Sequence, residues 1–240
     1  MIRFKKKETI VFSGDSITDG GRGRSMDLNH HMGHGYQYIL AAKLSRDNLE
    51  WQPRFINKGY SGAKVGEIYN TWYKDVIHYN PTMISILIGI NDASSGNSNL
   101  SEYVAARYER NYDMLLHDTA SLLPDTKLVI CEPFFIPAKH PQEFVKYSPH
   151  VFCERDFEVA EKTEEEIQYI VTQTQKLQKI ARGLAKEYGC TFVPLQDVFE
   201  KALRHVETEY LLWDGVHPTV AGHALLAERW YECVSKADIF

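Results

Sequence analysis

Five short β-rich runs alternate with longer helix-patterned segments along the whole chain, and this alternation constrains the fold more than any other feature. The runs are residues 9–13, 54–57, 82–88, 127–131 and 191–193. The first, Thr9-Ile10-Val11-Phe12-Ser13, is nearly all apolar and is closed by Gly14, as expected of a parallel strand buried on both faces. The run at 82–88 is the most apolar and is predicted to be the central strand. Helices are predicted over 36–49, 65–79, 100–123, 158–188 and 218–234. In the fourth, Ile167, Ile170, Val171, Thr174, Leu177, Ile180 and Leu184 form one apolar stripe, and Gly189 ends it as a left-handed cap. Such alternation implies a parallel sheet with helices on both faces.

A length of 240 residues fits one large α/β domain, 1–240, without internal repeats. An apolar content of 44% and a charged content of 25% are ordinary for a soluble protein. The formal charge of -5 speaks against a nucleic-acid or anionic-membrane partner. No stretch approaches the ~18 apolar residues of a membrane span. The first twelve residues read as a strand rather than a signal peptide, so a cytoplasmic location is expected. Cys131, Cys153, Cys190 and Cys233 are widely spaced and fit reduced thiols. Residues 133–157 contain Pro133, Pro137, Pro141 and Pro149 and are too long for a routine connection. They follow a strand's carboxyl end, and are predicted to wall a substrate cleft or to form an oligomer contact.

Two stretches carry recognisable chemistry. Gly14-Asp15-Ser16-Ile17-Thr18 follows the first run directly, which presents the Ser16 hydroxyl at the carboxyl edge of the sheet. Far down the chain, Trp213-Asp214-Gly215-Val216-His217-Pro218 sets a carboxylate three residues before an imidazole. That spacing lets Asp214 accept from Nδ1 while Nε2 faces a serine. Pro218 is predicted to be the first helical residue, placing His217 at a helix N-terminus where the dipole opposes its protonation and Asp214 favours it. The cluster His30-His31-x-x-His34 has no carboxylate at ligand spacing and reads as a solvated or cleft-lining loop. No metal and no cofactor is therefore expected.

Ser16, Gly62 in Asn57-Lys58-Gly59-Tyr60-Ser61-Gly62, Asn91 in Gly89-Ile90-Asn91-Asp92, and His217 together resemble the four-block signature of the SGNH (GDSL) hydrolase family. The blocks occur in order between Ile10 and about Trp230. The resemblance implies a flavodoxin-like three-layer α/β/α sandwich around a five-stranded parallel sheet, the SGNH hydrolase fold, with strand order 2-1-3-4-5. It also implies a catalytic triad of Ser16, Asp214 and His217. The oxyanion hole would be formed by the N–H groups of Ser16 and Gly62 and the amide of Asn91. The Gly-x-Ser-x-Gly elbow is absent, since position 18 is Thr and Ala63 follows the Ser61 block, which argues against the larger α/β-hydrolase fold.

The wider wording of the blocks is similar to a bacterial subgroup that contains intracellular acetylxylan esterases. That implies a serine esterase removing acetyl groups from xylo-oligosaccharides or related small acetylated carbohydrates through an acyl-enzyme. Trp213, beside Asp214, is then expected to wall a small acyl pocket or to stack on a sugar ring. A lipase, lysophospholipase or acyl thioesterase acting on longer chains uses the same blocks, but no long apolar loop adjoins them. A non-catalytic binding module or a flavin protein is the remaining alternative. Intact Ser16, Asp214 and His217 argue against it, as does the lack of a phosphate-cradling Gly-x-x-x-x-Gly-Lys pattern.

Overall fold

In the computed structural model, which describes residues 1–25, 28–139 and 162–240, the five runs become β1 (Thr9–Gly14), β2 (Arg54–Gly59), β3 (Met83–Leu87), β4 (Lys127–Cys131) and β5 (Thr191–Val193). All pair in parallel, in the order β2-β1-β3-β4-β5 that the resemblance implies. β1 and β3 are interior strands with helices over both faces, and their composition follows from that place. Ile10, Val11, Phe12, Ile84 and Ile86 are wholly inaccessible to solvent. The one polar side chain of β3, Ser85, accepts a hydrogen bond from Trp230 Nε1 at 2.9 Å, so burying the hydroxyl leaves no orphan.

The helices are α1 (Ser16–Asp19), α2 (Tyr36–Asp47), α3 (Val65–Asn70), α4 (Trp72–Asp75), α5 (Ile90–Ala93), α6 (Ser101–Leu122), α7 (Glu164–Glu187), α8 (Gln196–Ala202), α9 (Thr208–Leu211) and α10 (Val220–Ala237). α2 packs on α10, while α3, α6 and α7 pack together as a separate layer. The short α1, α5, α8 and α9 escape detection in the sequence because one or two turns show no helical period. Among the described residues no helix is long and apolar enough to cross a membrane.

Three expectations need correction. The helix predicted over 65–79 is two short helices and a 3-10 turn, because Asp75 is held by Tyr60 Oη at 3.0 Å and Lys58 Nζ at 3.3 Å, and Val76 leaves helical geometry. The helix predicted from 158 begins at Glu164. There Thr163 and Glu166 form a reciprocal capping box, and residues 158–161 lie outside the described residues. Pro218 is not helical: α10 starts at Val220 with Thr219 as its N-cap. Of the cysteines, Cys131 is buried, Cys190 and Cys233 are half-buried, and all three are free thiols, whereas Cys153 is outside the described residues.

Candidate active site

Each of the first three strands ends in a turn at the carboxyl edge, and each turn supplies one residue of the four-block set. After β1, Asp15 caps α1 by accepting from the Ile17 N–H at 3.0 Å. Ser16 is thus the first helical residue, and its N–H has no intrahelical acceptor. After β2 comes Gly62, whose φ of +81° lies in the left-handed region where a side chain would be strained. After β3, Asn91 is the second residue of α5.

His217 reaches the same edge from a loop closed by the antiparallel bridge Leu212–Pro218. Its Nε2 lies 2.8 Å from Ser16 Oγ, and its Nδ1 lies 2.7 Å from Asp214 Oδ2. The other carboxylate oxygen of Asp214 accepts the backbone N–H groups of His217 at 2.7 Å and Val216 at 2.9 Å. Gly215 allows the loop to turn this tightly: its φ is +87°, and a Cβ there would come within 2.5 Å of the Ile136 carbonyl. Burial by itself would raise the Asp214 carboxyl, but the hydrogen bond and charge of His217 with the two N–H donors hold it below the usual carboxylate range. Burial by itself would lower His217, but Asp214, and more weakly Asp15, raise it above its ordinary value. The two shifts are opposite in direction and both favour the charged form, as expected for an ion pair. The helix-dipole effect predicted at His217 is weak, because α10 begins beyond Thr219. This relay can pass a proton from Oγ to Nε2 while the carboxylate stabilises the imidazolium.

Asn91 donates one amide N–H to the Ala63 carbonyl at 3.1 Å, which fixes the side chain and leaves its second N–H for another acceptor. Trp213 lies with its ring against His217, centroids 5.8 Å apart and planes 20° from parallel, so one face of the indole packs the imidazole. Residues 133–139 of the proline-rich segment form no helix or strand but bury Phe134 and Phe135, and the Ile136 N–H donates to the Gly215 carbonyl at 3.1 Å. This stretch braces the Asp214 loop. Residues 140–157, and with them most of the expected cleft wall or oligomer contact, lie outside the described residues.

The sequence reading missed four buried groups here. Asp15 and Asp92 are both raised to about 7, chiefly by burial, against the opposing pull of backbone N–H donors, Ile17 first for Asp15 and Val65 first for Asp92, and of the charges of His217 and Lys64. Asp19 joins the Ser16 turn to Ser61. His223 is lowered to about 4 by burial and accepts from the Tyr36 N–H at 3.1 Å, so it stays neutral. Acids wedged among glycine and apolar residues at a strand end are the signal that was available. His30, His31 and His34 are all exposed, and among the described residues no group of three potential ligands could hold a metal.

The model of the GDSL-like lipase/acylhydrolase family matches residues 12–225. An acetylxylan esterase of Geobacillus stearothermophilus is 29% identical over 229 residues, 93% of this chain and 92% of its own. Among solved structures, a GDSL-like protein from Parabacteroides merdae superposes with a TM-score of 0.77 at 31% identity, over 96% of this chain and 97% of that one. The acetylxylan esterase Axe2 of G. stearothermophilus superposes with a TM-score of 0.74 at 27% identity, over 95% and 94%. Catalytic mutants of that enzyme replace a serine and an aspartate by alanine.

Proposed function

The chain belongs to the GDSL-like lipase/acylhydrolase family, and from that premise we propose that it is a serine esterase that removes acetyl groups from small carbohydrates, xylo-oligosaccharides foremost. The observation that carries the reading is the unbroken relay from Asp214 through His217 to Ser16, with contacts of 2.7 and 2.8 Å. In the reaction, Ser16 Oγ attacks the ester carbonyl as His217 Nε2 takes its proton. The oxyanion settles on the N–H groups of Ser16 and Gly62 and the free amide N–H of Asn91. The C–O bond to the sugar breaks as His217 protonates the leaving alcohol. A water, deprotonated by the same nitrogen, then cleaves the acyl-enzyme to acetate and restores Ser16. No metal or cofactor enters these steps.

Support for the acetyl-sugar substrate comes from the relative named as an acetylxylan esterase, aligned over nearly the whole chain, and from the bulky Trp213 packed beside the imidazole. The test is acetate release from acetylated xylo-oligosaccharides and acetylated amino sugars, beside p-nitrophenyl esters from acetyl to octanoyl. A closed pocket should favour acetyl or propionyl and lose at least roughly tenfold in kcat/KM by octanoyl, about 1.4 kcal/mol. A lipase would instead gain up to about 0.8 kcal/mol with each buried methylene, and a profile rising through octanoyl would replace the acetyl-sugar reading with that alternative. In the same assays Ser16→Ala should lose several orders of magnitude in kcat. Retention of a tenth of the activity would remove Ser16 as nucleophile.

A further inference from the structure

An oxyanion donor must be held to within about 0.5 Å of its working place, and Gly62 has no packing of its own to do this. It is exposed, and a Cβ built on it would meet nothing within 4 Å. Hydrogen bonds from the two neighbouring turns fix its loop instead. Asp19, the last residue of α1 and only 2% exposed, accepts from both the N–H of Ser61 at 3.0 Å and its hydroxyl at 3.1 Å. Asp19 is itself oriented by the Arg22 N–H at 3.1 Å and by two Arg24 nitrogens at 3.0 and 2.5 Å. On the far side of Gly62, the Ala63 carbonyl accepts from Asn91 Nδ2 and the Val65 N–H donates to Asp92 Oδ2, both at 3.1 Å. The loop is thus tied to α1, which begins with Ser16, and to α5, which contains Asn91.

We propose that Asp19 is a positioning residue for ester hydrolysis: it holds Ser61, and with it the Ser61–Gly62 peptide, so that the N–H groups of Gly62 and Ser16 converge on one oxygen. The inference rests on the esterase reading and goes beyond it, because Asp19 touches no reacting atom and acts through its neighbour. The rigid link is short. Asp19 stands three residues after Ser16 in the same helical turn, and Ser61 stands one residue before Gly62. Swinging Ser61 free would move one donor while leaving the Ser16–His217–Asp214 relay in place.

The test is steady-state kinetics on an acetyl ester, with active sites counted by an acylating burst. Losing an oxyanion donor outright costs about 10²–10³ in rate. Loosening one should cost less, so Asp19→Ala is expected to lower kcat by about 30–100-fold with KM changed less than about threefold. Asp19→Asn keeps one acceptor oxygen and the side-chain shape, and should fall between Asp19→Ala and the parent. It also carries the test if Asp19→Ala fails to fold. Gly62→Ala and the double variant with Asp19→Ala close a cycle. If Asp19 works through the Gly62 donor, the double loss stays within about threefold of the larger single loss. Losses that multiply would overturn the proposal. So would an Asp19 variant with parental kcat per active site and only a lowered melting temperature, or one that raises KM alone. Ser16→Ala in the same assay separates the two readings: if it stays active, the esterase reading fails. If it is dead while both Asp19 variants keep parental kcat, only this inference fails.

Discussion

The turn that carries Ser16 and the loop that carries His217 face each other across the Ser16–His217 contact, and each buries an aspartate whose carboxyl the fold shifts in the opposite direction. Asp15 is 1% exposed, and burial outweighs its backbone donors, chiefly the Ile17 N–H, and the charge of His217, lifting it to about 7. Asp214 is also penalised by burial, but the imidazole and two backbone N–H groups outweigh that penalty and keep it ionised. The number of partners, more than depth, decides the charge of a buried acid. The difference suits the chemistry. With Asp15 largely uncharged below about 7, the carboxylate of Asp214 supplies most of the pull on the imidazole, and Asp15 adds a weaker one as it ionises.

Removing the charged member breaks the comparison hardest. Asp214→Asn should lower kcat by about 10³–10⁴, the scale seen when an equivalent carboxylate becomes an amide in serine hydrolases. The pH profile carries the sign. His217 must be neutral to accept the Ser16 proton, so activity falls as pH drops through a pKa held above its ordinary value. Asp214 is the main raising influence, Asp15 a lesser one, and Lys162 opposes both. The acid limb of kcat/KM should therefore move to lower pH in Asp214→Asn. A limb that stays in place would show that Asp214 does not set the charge of the imidazole.

The third turn sharpens the contrast because its contribution is uncharged. Asn91→Ala should lower kcat by about 10²–10³, leave KM nearly unchanged, and move neither limb of the pH profile. A rise in KM at constant kcat would make Asn91 a ground-state contact rather than an oxyanion donor. A shifted acid limb would tie it to the charge of His217, from which its single bond to Ala63 separates it.

What the sequence makes legible divides along the same line. Strands β4 and β5 begin and end where their β-rich runs do, because the residues that form them, Leu128-Val129-Ile130-Cys131 and Phe192-Val193, suit a pleated and partly buried surface even where β5 lies at the sheet edge. The Ser16, Asp214 and His217 relay is legible because each member lies within a short, local block. The break of 65–79 into α3 and α4 is not, because Asp75 takes partners from Tyr60 and Lys58 on another segment, and such contacts override local period. The start of α7 is local and is carried by the capping pair Thr163-x-x-Glu166. The tie from Asp19 to Ser61 spans 42 positions and depends on fold alone. So do the charges of Asp15 and Asp92, since no residue type announces how many donors will surround it.

The smallest effect is the most specific to Asp15. In the folded protein its carboxyl titrates near 7, against an ordinary value of 3.8, so the fold favours the protonated form. Below the ordinary value the acid is neutral in both states and costs nothing. As pH rises from there to about 7 the unfolded chain ionises first, and stability is lost until the cost is complete. A gap of about three units corresponds to at most about 4 kcal/mol. Asparagine keeps the cap on the Ile17 N–H without a charge to desolvate. Asp15→Asn should therefore raise the melting temperature at pH 8, by about 2–4 °C for each kcal/mol regained in a chain of this size, and the gain should shrink toward zero near pH 4. His223 destabilises the fold on acidification, since burial lowers it to about 4, but it does so in parent and variant alike and cancels from the difference. Asp214→Asn should behave oppositely: its lowered carboxyl contributes stability above the ordinary range, so the variant melts lower at pH 8 and the deficit fades as the pH falls. Calorimetry of both variants at the two pH values reads the contrast directly. If Asp15→Asn also melted lower at pH 8, His217 would stabilise the ionised Asp15 more than burial penalises it, and the two turns would shift their acids the same way after all.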